Sequence, residues 1–337
     1  SFRIIETEKN IKKKKFITTK IYRDISPYPF IPSDKSLLDV RCNEIIMMLS
    51  HALAKRIKHT KTTCAVLGLS GGLDSTLALL LTYEAFKICN LDYEDIIAIT
   101  MPCFGTTDRT YKNACSMAKS MGVTLKEISI EQSVLQHFED IGQDENNHDV
   151  TYENAQARER TQILMDVANA KGGIVLGTGD MSELALGWCT YNGDQMSMYN
   201  INCGVPKTLM AGIIQAFIDA TQPGAIAEAC LRDVIATPIS PELVPGKQHT
   251  ELVLGRYELH DFIMYYYLRY HERIATIKEL LAAAFEGDAS REEVEHAASV
   301  FEWRIKTQQF KRAATPEGPV CFPVSVAASA WAIPSDI

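Results

Sequence analysis

The sequence lacks several features that mark whole classes of protein. No apolar run approaches the roughly 18 residues that a membrane-spanning helix needs, so we expect no membrane partner. The net charge is −8, which argues against a protein that binds nucleic acid through a basic surface. The nine cysteines contain no Cys-x-x-Cys pair, so the common zinc and thioredoxin-type spacings are excluded. The odd number of cysteines and the length of the chain point to reduced thiols, as in a cytoplasmic protein.

The overall composition is that of an ordinary globular enzyme. The chain has 337 residues, of which 46% are apolar and 23% charged. This length suits one large domain or two small ones. No signal peptide is recognisable, and the first residue is Ser1 rather than Met, so we expect a segment of a longer protein.

Short apolar runs alternate with helical patterns through the first 180 residues. The predicted strands are residues 64–69, 96–101, 124–130 and 174–177. This alternation predicts an α/β fold, a doubly wound parallel sheet covered by helices on both faces. Beyond residue 204 the pattern predicts a helical C-terminal extension, with helices at 209–220, 225–233, 257–270, 272–285 and 291–310. Ligands of such sheets bind at the carboxyl ends of strands, so the loops after residues 69, 101 and 177 should carry the chemistry.

The most informative motif directly follows the first predicted strand and opens a helix. Its residues are Gly68, Leu69, Ser70, Gly71, Gly72, Leu73, Asp74 and Ser75. The two central glycines let the backbone turn sharply and approach an anion, and the first amides of the helix then point at that anion. The two serines add hydroxyl donors. The motif predicts a phosphate-binding loop, although a plain turn is the alternative for Ser-Gly-Gly alone.

An aspartate stands where a phosphate loop of the Walker type has lysine. Two charges about 4 Å apart interact by about 4 kcal/mol at an effective dielectric constant of about 20. A helix terminus contributes only about 0.3–1 kcal/mol to anion binding, so Asp74 beside a polyphosphate requires a bridging cation. Mg²⁺, which prefers oxygen ligands, is the natural choice.

The loop resembles the pyrophosphate loop of the N-type ATP pyrophosphatases. These enzymes have an adenine nucleotide α-hydrolase-like, Rossmann-like fold, release pyrophosphate from ATP and activate a carbonyl oxygen as an adenylate. The group includes NAD synthetases, GMP synthetases and tRNA-modifying enzymes. The loop by itself does not choose among them.

Longer stretches resemble the NAD synthetase family in particular. They are residues 100–110 (TMPCFGTTDRT), 151–161 (TYENAQARERT), 174–207, 239–243 (ISPEL) and 308–312 (QQFKR). Tyr191 stands where ammonia-only relatives have lysine, which favours the glutamine-dependent subgroup. In that subgroup a separate nitrilase-like glutaminase domain supplies ammonia. The resemblance therefore implies that this chain is the synthetase portion.

The resemblance implies contacts with ATP as co-substrate. Thr178 and Lys207 match residues that contact ATP, and Lys207 would also offset charge as the adenylate forms. Ser240 matches a hydroxyl of a mobile loop near ATP, with Thr237 as the alternative.

The resemblance also implies a metal site. Glu183 matches an acid that would join Asp74 in holding Mg²⁺. The alternative role for Glu183 is that of an acid complementing a helix N-terminus.

The dinucleotide substrate of the family is deamido-NAD. The positions that match its binding residues are Asn154, Arg158, Glu183, Trp188, Cys189, Thr190, Tyr191 and Lys311. Asn154 and Arg158 lie four residues apart and share one helix face. Trp188 could stack on the nicotinate ring, and a role in the core is nearly as consistent. Cys189 is expected to pack rather than to act as a nucleophile.

Asp194 matches a carboxylate near the reacting centre, where it could orient ammonia or accept its proton. Together with Lys207 it forms the predicted catalytic pair. The implied reaction adenylates the carboxylate of deamido-NAD and then amidates it with ammonia, releasing AMP, pyrophosphate and NAD. Residues 142–150 and 233–245 are candidate lids, because the adenylate must be protected from water.

Two alternatives stay open at this point. One is another enzyme with the same loop, such as a GMP synthetase or a tRNA-modifying enzyme. The other is a module that binds adenine nucleotides without catalysis. The resemblance further implies a homodimer. We predict a linker at residues 1–35, the synthetase domain at 36–275, and a helical extension with an irregular tail at 276–337.

Overall fold

The computed structural model describes residues 24–105, 108–237, 253–327 and 334–335. Its strands are β1 Ala65–Gly68, β2 Ile96–Thr100, β3 Thr124–Glu127, β4 Ile174–Gly177 and β5 Tyr199–Asn200. The helices before β5 are α1 Lys35–Thr60, α2 Leu73–Cys89, α3 Asp108–Ser120, α4 Glu131–Ile141, α5 Val150–Lys171 and α6 Met181–Leu186. The helices after β5 are α7 Lys207–Thr221, α8 Ala225–Ile235, α9 Tyr257–Tyr270, α10 Ile274–Ala284, α11 Arg291–Thr307 and α12 Gln309–Ala313.

The strands form one parallel sheet in the order β3-β2-β1-β4-β5. The chain runs outward from β1 in one direction and then returns to build β4 and β5 on the other side. The order therefore reverses between β1 and β4, which is where doubly wound sheets bind ligands at their carboxyl edge. The predicted α/β fold class is confirmed, and the loops after β1 and β4 are neighbours.

Alternating strand residues face two different layers of helices. Leu67 and Ala98 point into a core cluster with helices α1, α2, α3 and α7, whereas Val66 and Ile99 point into a second cluster with α4 and α5. The side-chain period of a strand is two residues, so a sheet buried on both faces needs apolar residues at every position. This explains why the strands β1, β2 and β4 read as nearly unbroken apolar runs, whereas the edge strand β3 (TLKE) does not.

The C-terminal helices form a third hydrophobic cluster, which packs against α6. Residues of α9, α10 and α11 pack there with Leu184 and Leu186 of α6. Helix α11 begins with a capping box, in which Ser290 and Glu293 satisfy each other's backbone amides. The predicted helical extension is confirmed, whereas the division of the chain at residues 35/36 and 275/276 stays a prediction.

Some elements differ from the sequence prediction. Strand β3 ends at Glu127 rather than at residue 130, and the helix expected over 291–310 breaks at Gln308. Helix α8 continues to Ile235, so the first part of the predicted 233–245 loop is helical. Strand β5 and helix α6 were not predicted, because two and six residues are too few for a periodic pattern. Across the described ranges, we find no helix with the length and apolar content to cross a bilayer.

A buried histidine in α9 makes stability depend on pH. His260 Nε2 lies 2.7 Å from the carbonyl oxygen of Leu254. Burial lowers the pKa of His260 to about 4, against the opposing effect of that carbonyl and with help from the charges of His296 and Arg304. The unfolded chain takes up the proton near the ordinary pKa of 6.5, so the folded state loses stability as the pH falls from 6.5 towards 4.

As the pH falls from about 7 to about 5, we expect protonation of His260 in the unfolded chain to lower the free energy of unfolding by about 2 kcal/mol. Burial raises the pKa of neighbouring Asp261 to about 6, which acts with the opposite sign in an overlapping range. The measurement is therefore a difference: urea unfolding of the wild type and of His260→Gln across this range. His51→Gln, at an exposed position on α1, is the control. Parallel pH curves for the wild type and His260→Gln would contradict the prediction.

Candidate active site at the carboxyl edge of the sheet

The loop between β1 and α2 has the geometry of an anion site. Gly71 has a φ of +83°, and Gly72 opens α2 without any side-chain cap. The hydroxyl oxygens of Ser70 and Ser75 lie 3.1 Å apart, and the amide of Gly72 donates to Ser70 Oγ at 3.2 Å. The first-turn amides of α2 are thus left for a ligand, and the helix dipole favours an anion there.

Helix α3 packs directly behind this loop and fixes its shape. A Cβ added at Gly71 would overlap the backbone carbonyl of Thr110. Both the positive φ and this close approach require glycine, so the loop is held rigidly in its turn.

The loop after β4 faces the phosphate loop across the switch point. Asp180 begins α6, and its Oδ1 accepts the amides of Ser182 at 2.7 Å and Glu183 at 2.9 Å. The side-chain amide of Asn202 joins the two loops, since it donates to the carbonyl oxygens of Asp74 and Thr178, each at 2.9 Å. Thr178 is thereby placed beside the loop between β1 and α2, and its contact with ATP stays a prediction. Asn202 itself was not among the predicted residues.

Three acids surround one ammonium group between these loops. We call Asp74, Asp180 and Glu183 the acid cluster; one carboxylate oxygen of each lies within 4.8 Å of the others. Lys207, the first residue of α7, places its Nζ 2.5 Å from Asp180, 2.7 Å from Asp74 and 3.0 Å from Glu183. The structure therefore brings together Asp74, Glu183 and Lys207, which the sequence analysis singled out, and adds Asp180.

The electrostatics of the cluster favour a positive charge at its centre. Burial raises the pKa of Glu183 to about 7 and that of Asp180 well above its ordinary value, in both cases against the pull of Lys207. For Lys207 burial works in the opposite sense, but the carboxylates of the acid cluster prevail and raise its pKa well above the ordinary value. The Coulombic attraction between opposite charges is about 4 kcal/mol at about 4 Å and an effective dielectric constant of about 20, and the cost of burying the charges opposes it.

A second buried network holds Lys207 from the backbone side. The amide of Lys207 donates to Ser182 Oγ at 2.8 Å, and Ser182 in turn donates to Asp261 of α9. The same carboxylate accepts the amide and hydroxyl of Thr208 at 3.1 and 2.7 Å. Asp261 thus joins α6, α7 and α9. Sequence reasoning missed it because it lies more than 50 residues from its partners.

The predicted dinucleotide residues form a second polar group beside the acid cluster. The amide of Thr190 donates to Asp194 Oδ1 at 2.7 Å, and its hydroxyl lies 2.8 Å from Asn154 Oδ1. Arg158 Nε donates to the carbonyl oxygen of Tyr191 at 3.2 Å. Two separate stretches of sequence, in helix α5 and at residues 190–194, therefore meet here.

Asp194 lies close enough to the acid cluster to influence it. The carboxylate of Asp194 is one of the charges that raise the pKa of Glu183. Although Asp194 is reachable by solvent, the surrounding protein desolvates it and raises its own pKa, against the effect of hydrogen bonds from Thr190. A carboxyl group with a raised pKa next to a polar group of this kind is suited to proton transfer.

The turn at residues 187–189 is held by two cations from the C-terminal helices. Lys311 Nζ donates to the carbonyl oxygens of Cys189 at 2.6 Å and Gly187 at 3.1 Å. The guanidinium of Arg304 lies 5.1 Å from the ring centroid of half-buried Trp188 and donates to the Gly187 carbonyl at 3.2 Å. Arg304 was not among the predicted residues.

Cys189 has the character of a packing residue. Burial raises the pKa of its thiol to about 12, and the charge of Asp194 acts in the same direction. The thiolate needed for nucleophilic attack is therefore strongly disfavoured.

Two predictions about loops cannot be followed through the structure. Ser240 lies outside the described residues, as does most of the 233–245 segment. The alternative, Thr237, donates to the carbonyl oxygen of Asp233 at 2.7 Å at the end of α8. Residues 142–149 form a turn segment that ends at Asp149, whose side chain caps α5.

Known proteins resemble this chain over most of its length. A glutamine-dependent NAD(+) synthetase of Mycobacterium leprae is 38% identical over 326 residues, covering 89% of this chain and 48% of that relative. The crystal structure of a glutamine-dependent NAD(+) synthetase from Cytophaga hutchinsonii matches with a TM-score of 0.72 at 18% identity, over 88% of this chain and 54% of that one. This chain thus spans about half the length of these two relatives.

A further solved structure is more similar in sequence. The glutamine-dependent NAD+ synthetase of Acinetobacter baumannii, solved with adenosine diphosphate, is 26% identical with a TM-score of 0.53, covering 85% of this chain and 48% of that one. The family model for NAD synthase matches residues 45–314. With the parallel sheet and the loop geometry in agreement, this chain belongs to the NAD synthase family.

Proposed function

We propose that this chain catalyses the ATP-dependent amidation of deamido-NAD to NAD, using ammonia and releasing AMP and pyrophosphate. The observation that carries the proposal is the meeting of two features at the switch point of the sheet. An anion-binding loop with free helix amides lies beside a charged cluster centred on Lys207. In a chain of the NAD synthase family, this is the arrangement needed to bind ATP and stabilise its departing phosphates.

The acid cluster fits Mg²⁺. Its donors are hard carboxylate oxygens within 4.8 Å of one another, and three carboxylates against one ammonium leave two excess negative charges when all are ionised. Asp74 and Glu183, which are partly open to solvent, would hold the ion. When bound there, Mg²⁺ would neutralise negative charge on the phosphates.

The chain's own residues have separable roles in the proposed reaction. A carboxylate oxygen of deamido-NAD attacks the α-phosphorus of ATP, and pyrophosphate leaves into the amides and hydroxyls of residues 68–75. Lys207 stabilises the charge that develops on the phosphates, while Thr178 contacts ATP from the end of β4. The predicted pocket for the nicotinate end is the turn at residues 188–191.

The second half of the reaction consumes ammonia. The nitrogen attacks the acyl carbon of the adenylate, AMP leaves with the bonding electrons, and the nitrogen loses a proton. We assign the orientation of ammonia or the acceptance of this proton to Asp194, which lies next to Thr190 and electrostatically close to Glu183. Asn154, Arg158 and Lys311 are proposed to hold the dinucleotide or the turn that contacts it.

The ammonia source and the assembly are proposals as well. The relatives are glutamine-dependent enzymes about twice as long as the matched region, so we propose that a glutaminase domain outside these 337 residues supplies ammonia. We also propose a homodimer of synthetase domains; sedimentation at micromolar concentration tests it, and a strictly monomeric profile would refute it. The cytoplasmic location stays a prediction.

One assay tests the proposed function. The purified chain is incubated with deamido-NAD, ATP and Mg²⁺, with ammonium chloride in one reaction and glutamine in another. We expect equal amounts of NAD and AMP with ammonia, none above background with glutamine, and loss of activity when EDTA removes the metal. AMP formation with xanthosine monophosphate in place of deamido-NAD would indicate a GMP synthetase. No nucleotide release with either substrate would indicate a binding module.

A further inference from the structure

Asp180 differs from the other two acids of the cluster in its exposure. Its side chain is 0% exposed, whereas those of Asp74 and Glu183 are 26% and 23% exposed. Asp74 and Glu183 can therefore face a ligand at the edge of the sheet. Asp180 lies behind them and cannot.

Both carboxylate oxygens of Asp180 are already engaged. Oδ1 accepts the first-turn amides of α6, including that of Glu183 at 2.9 Å, and Oδ2 lies 2.5 Å from the ammonium of Lys207. With one oxygen on the helix start, the other against a buried cation and a side chain that is 0% exposed, Asp180 presents no solvent-facing oxygen to a ligand at the edge of the sheet.

We propose that Asp180 is a positioning residue, which acts on the reaction by holding the ammonium of Lys207 at the mouth of the phosphate loop. Asp74 and Glu183 are the acids that would turn towards a bound cation, and their hold on Lys207 weakens as they do so. Asp180 is then the member of the acid cluster that keeps Lys207 in place. The kinetic part of this inference rests on the proposed function.

The same carboxylate also sets the position of Glu183. Because Oδ1 caps α6, a six-residue helix that carries Glu183 in its first turn, a shift of Asp180 would move this acid and Lys207 together. One buried group thus couples the start of α6 to the start of α7. This coupling predicts effects that a simple helix cap would not produce.

Asp180→Asn separates the two roles. The asparagine oxygen can still cap α6, since asparagine is as good a cap as aspartate, but its NH₂ group is neutral and a donor, so it cannot replace the ion pair with Lys207. We expect kcat for ammonia-dependent NAD formation to fall about 10- to 100-fold, with KM for ATP changing less than about threefold. Asp34→Asn is the matched control, because Asp34 caps α1 in the same way and has no contact with a cation of the site. Its kcat should stay within about twofold of the wild type.

A double-mutant cycle with Lys207→Gln tests whether Asp180 acts through Lys207. In the wild-type background Asp180→Asn removes a partner from a buried cation, so the melting temperature should fall. In the Lys207→Gln background it removes a buried acid that has lost its cation, so the melting temperature should rise. The kcat of the double variant should equal that of Lys207→Gln alone.

The comparison of melting temperatures requires no turnover. It therefore remains decisive if the wild type makes no NAD and the proposed function is wrong. An equal fall in melting temperature in both backgrounds would show that Asp180 is only a helix cap, and the inference would be wrong. If Lys207→Gln does not fold, Asp180→Asn alone still decides, since an unchanged kcat overturns the inference and a reduced kcat with unchanged KM supports it.

Discussion

Replacing Lys207 with glutamine is expected to lower kcat for adenylation by about 100- to 1,000-fold, the usual effect of removing a charge-stabilising group from a transition state. The ammonium lies among three carboxylates at 2.5 to 3.0 Å, at the point where the phosphate loop and the β4 loop face each other. The neutral glutamine cannot offset the charge of the leaving phosphates. Substrate binding should suffer less than kcat, because the charge matters most as it develops.

The same substitution should also destabilise the fold. Breaking a buried ion pair by removing one partner costs about 3–5 kcal/mol, since uncompensated charge stays behind. Urea unfolding measures this cost, and pyrophosphate release measures the catalytic effect. Lys278→Gln, which removes a lysine from the surface pair with Glu295, should change stability by less than about 1 kcal/mol. Equal effects of the two substitutions would show that the buried cluster has no special role.

Gly71→Ala should be the most damaging change in the phosphate loop. A residue with a side chain at the φ of +83° costs about 1–2 kcal/mol. The new Cβ would also overlap the backbone carbonyl of Thr110. Relieving such an overlap costs about 1–3 kcal/mol more. The backbone must shift, and a displacement of about 1 Å in a binding loop can cost about 100-fold in rate.

Gly172→Ala is the control for Gly71→Ala. Gly172 ends α5 with a φ of +62°, and a Cβ there meets open space, so this variant carries the cost of the backbone conformation without the overlap. Urea unfolding and AMP formation should separate the two variants clearly. If Gly71→Ala loses no more stability than Gly172→Ala and retains its activity, the loop is not held against α3 as described.

Local patterns were sufficient for much of this protein. The sequences of β1, β2 and β4 predicted a sheet buried on both faces, because nearly every position of its inner strands must then be apolar. The glycine-rich loop was recognisable because strand, turn and helix follow each other within about ten residues, and its proposed function depends on backbone amides that are local to it. The helices with long periodic patterns were placed to within a few residues.

The partners of the polar residues were not predictable in the same way. Lys207 was expected against phosphates, yet its ammonium lies among three acids, one of which is 133 residues away in sequence. Asp180 was not among the predicted site residues, and nothing local indicated that it is fully buried and paired with Lys207. Asp261, Asn202 and Arg304 have no signal in their own neighbourhoods, because each acts on a distant loop.

The sequence by itself determined the α/β class and located the glycine-rich turn between β1 and α2, since these depend on periodicity and on short contiguous motifs. Only the tertiary structure decided which charges meet, because the reversal of strand order between β1 and β4 brings together loops that are about 100 residues apart. Asp180 and Lys207 are both buried at this point and form an ion pair. A buried charge is tolerated only where the fold supplies its partner, and that partner is chosen by topology rather than by neighbouring sequence.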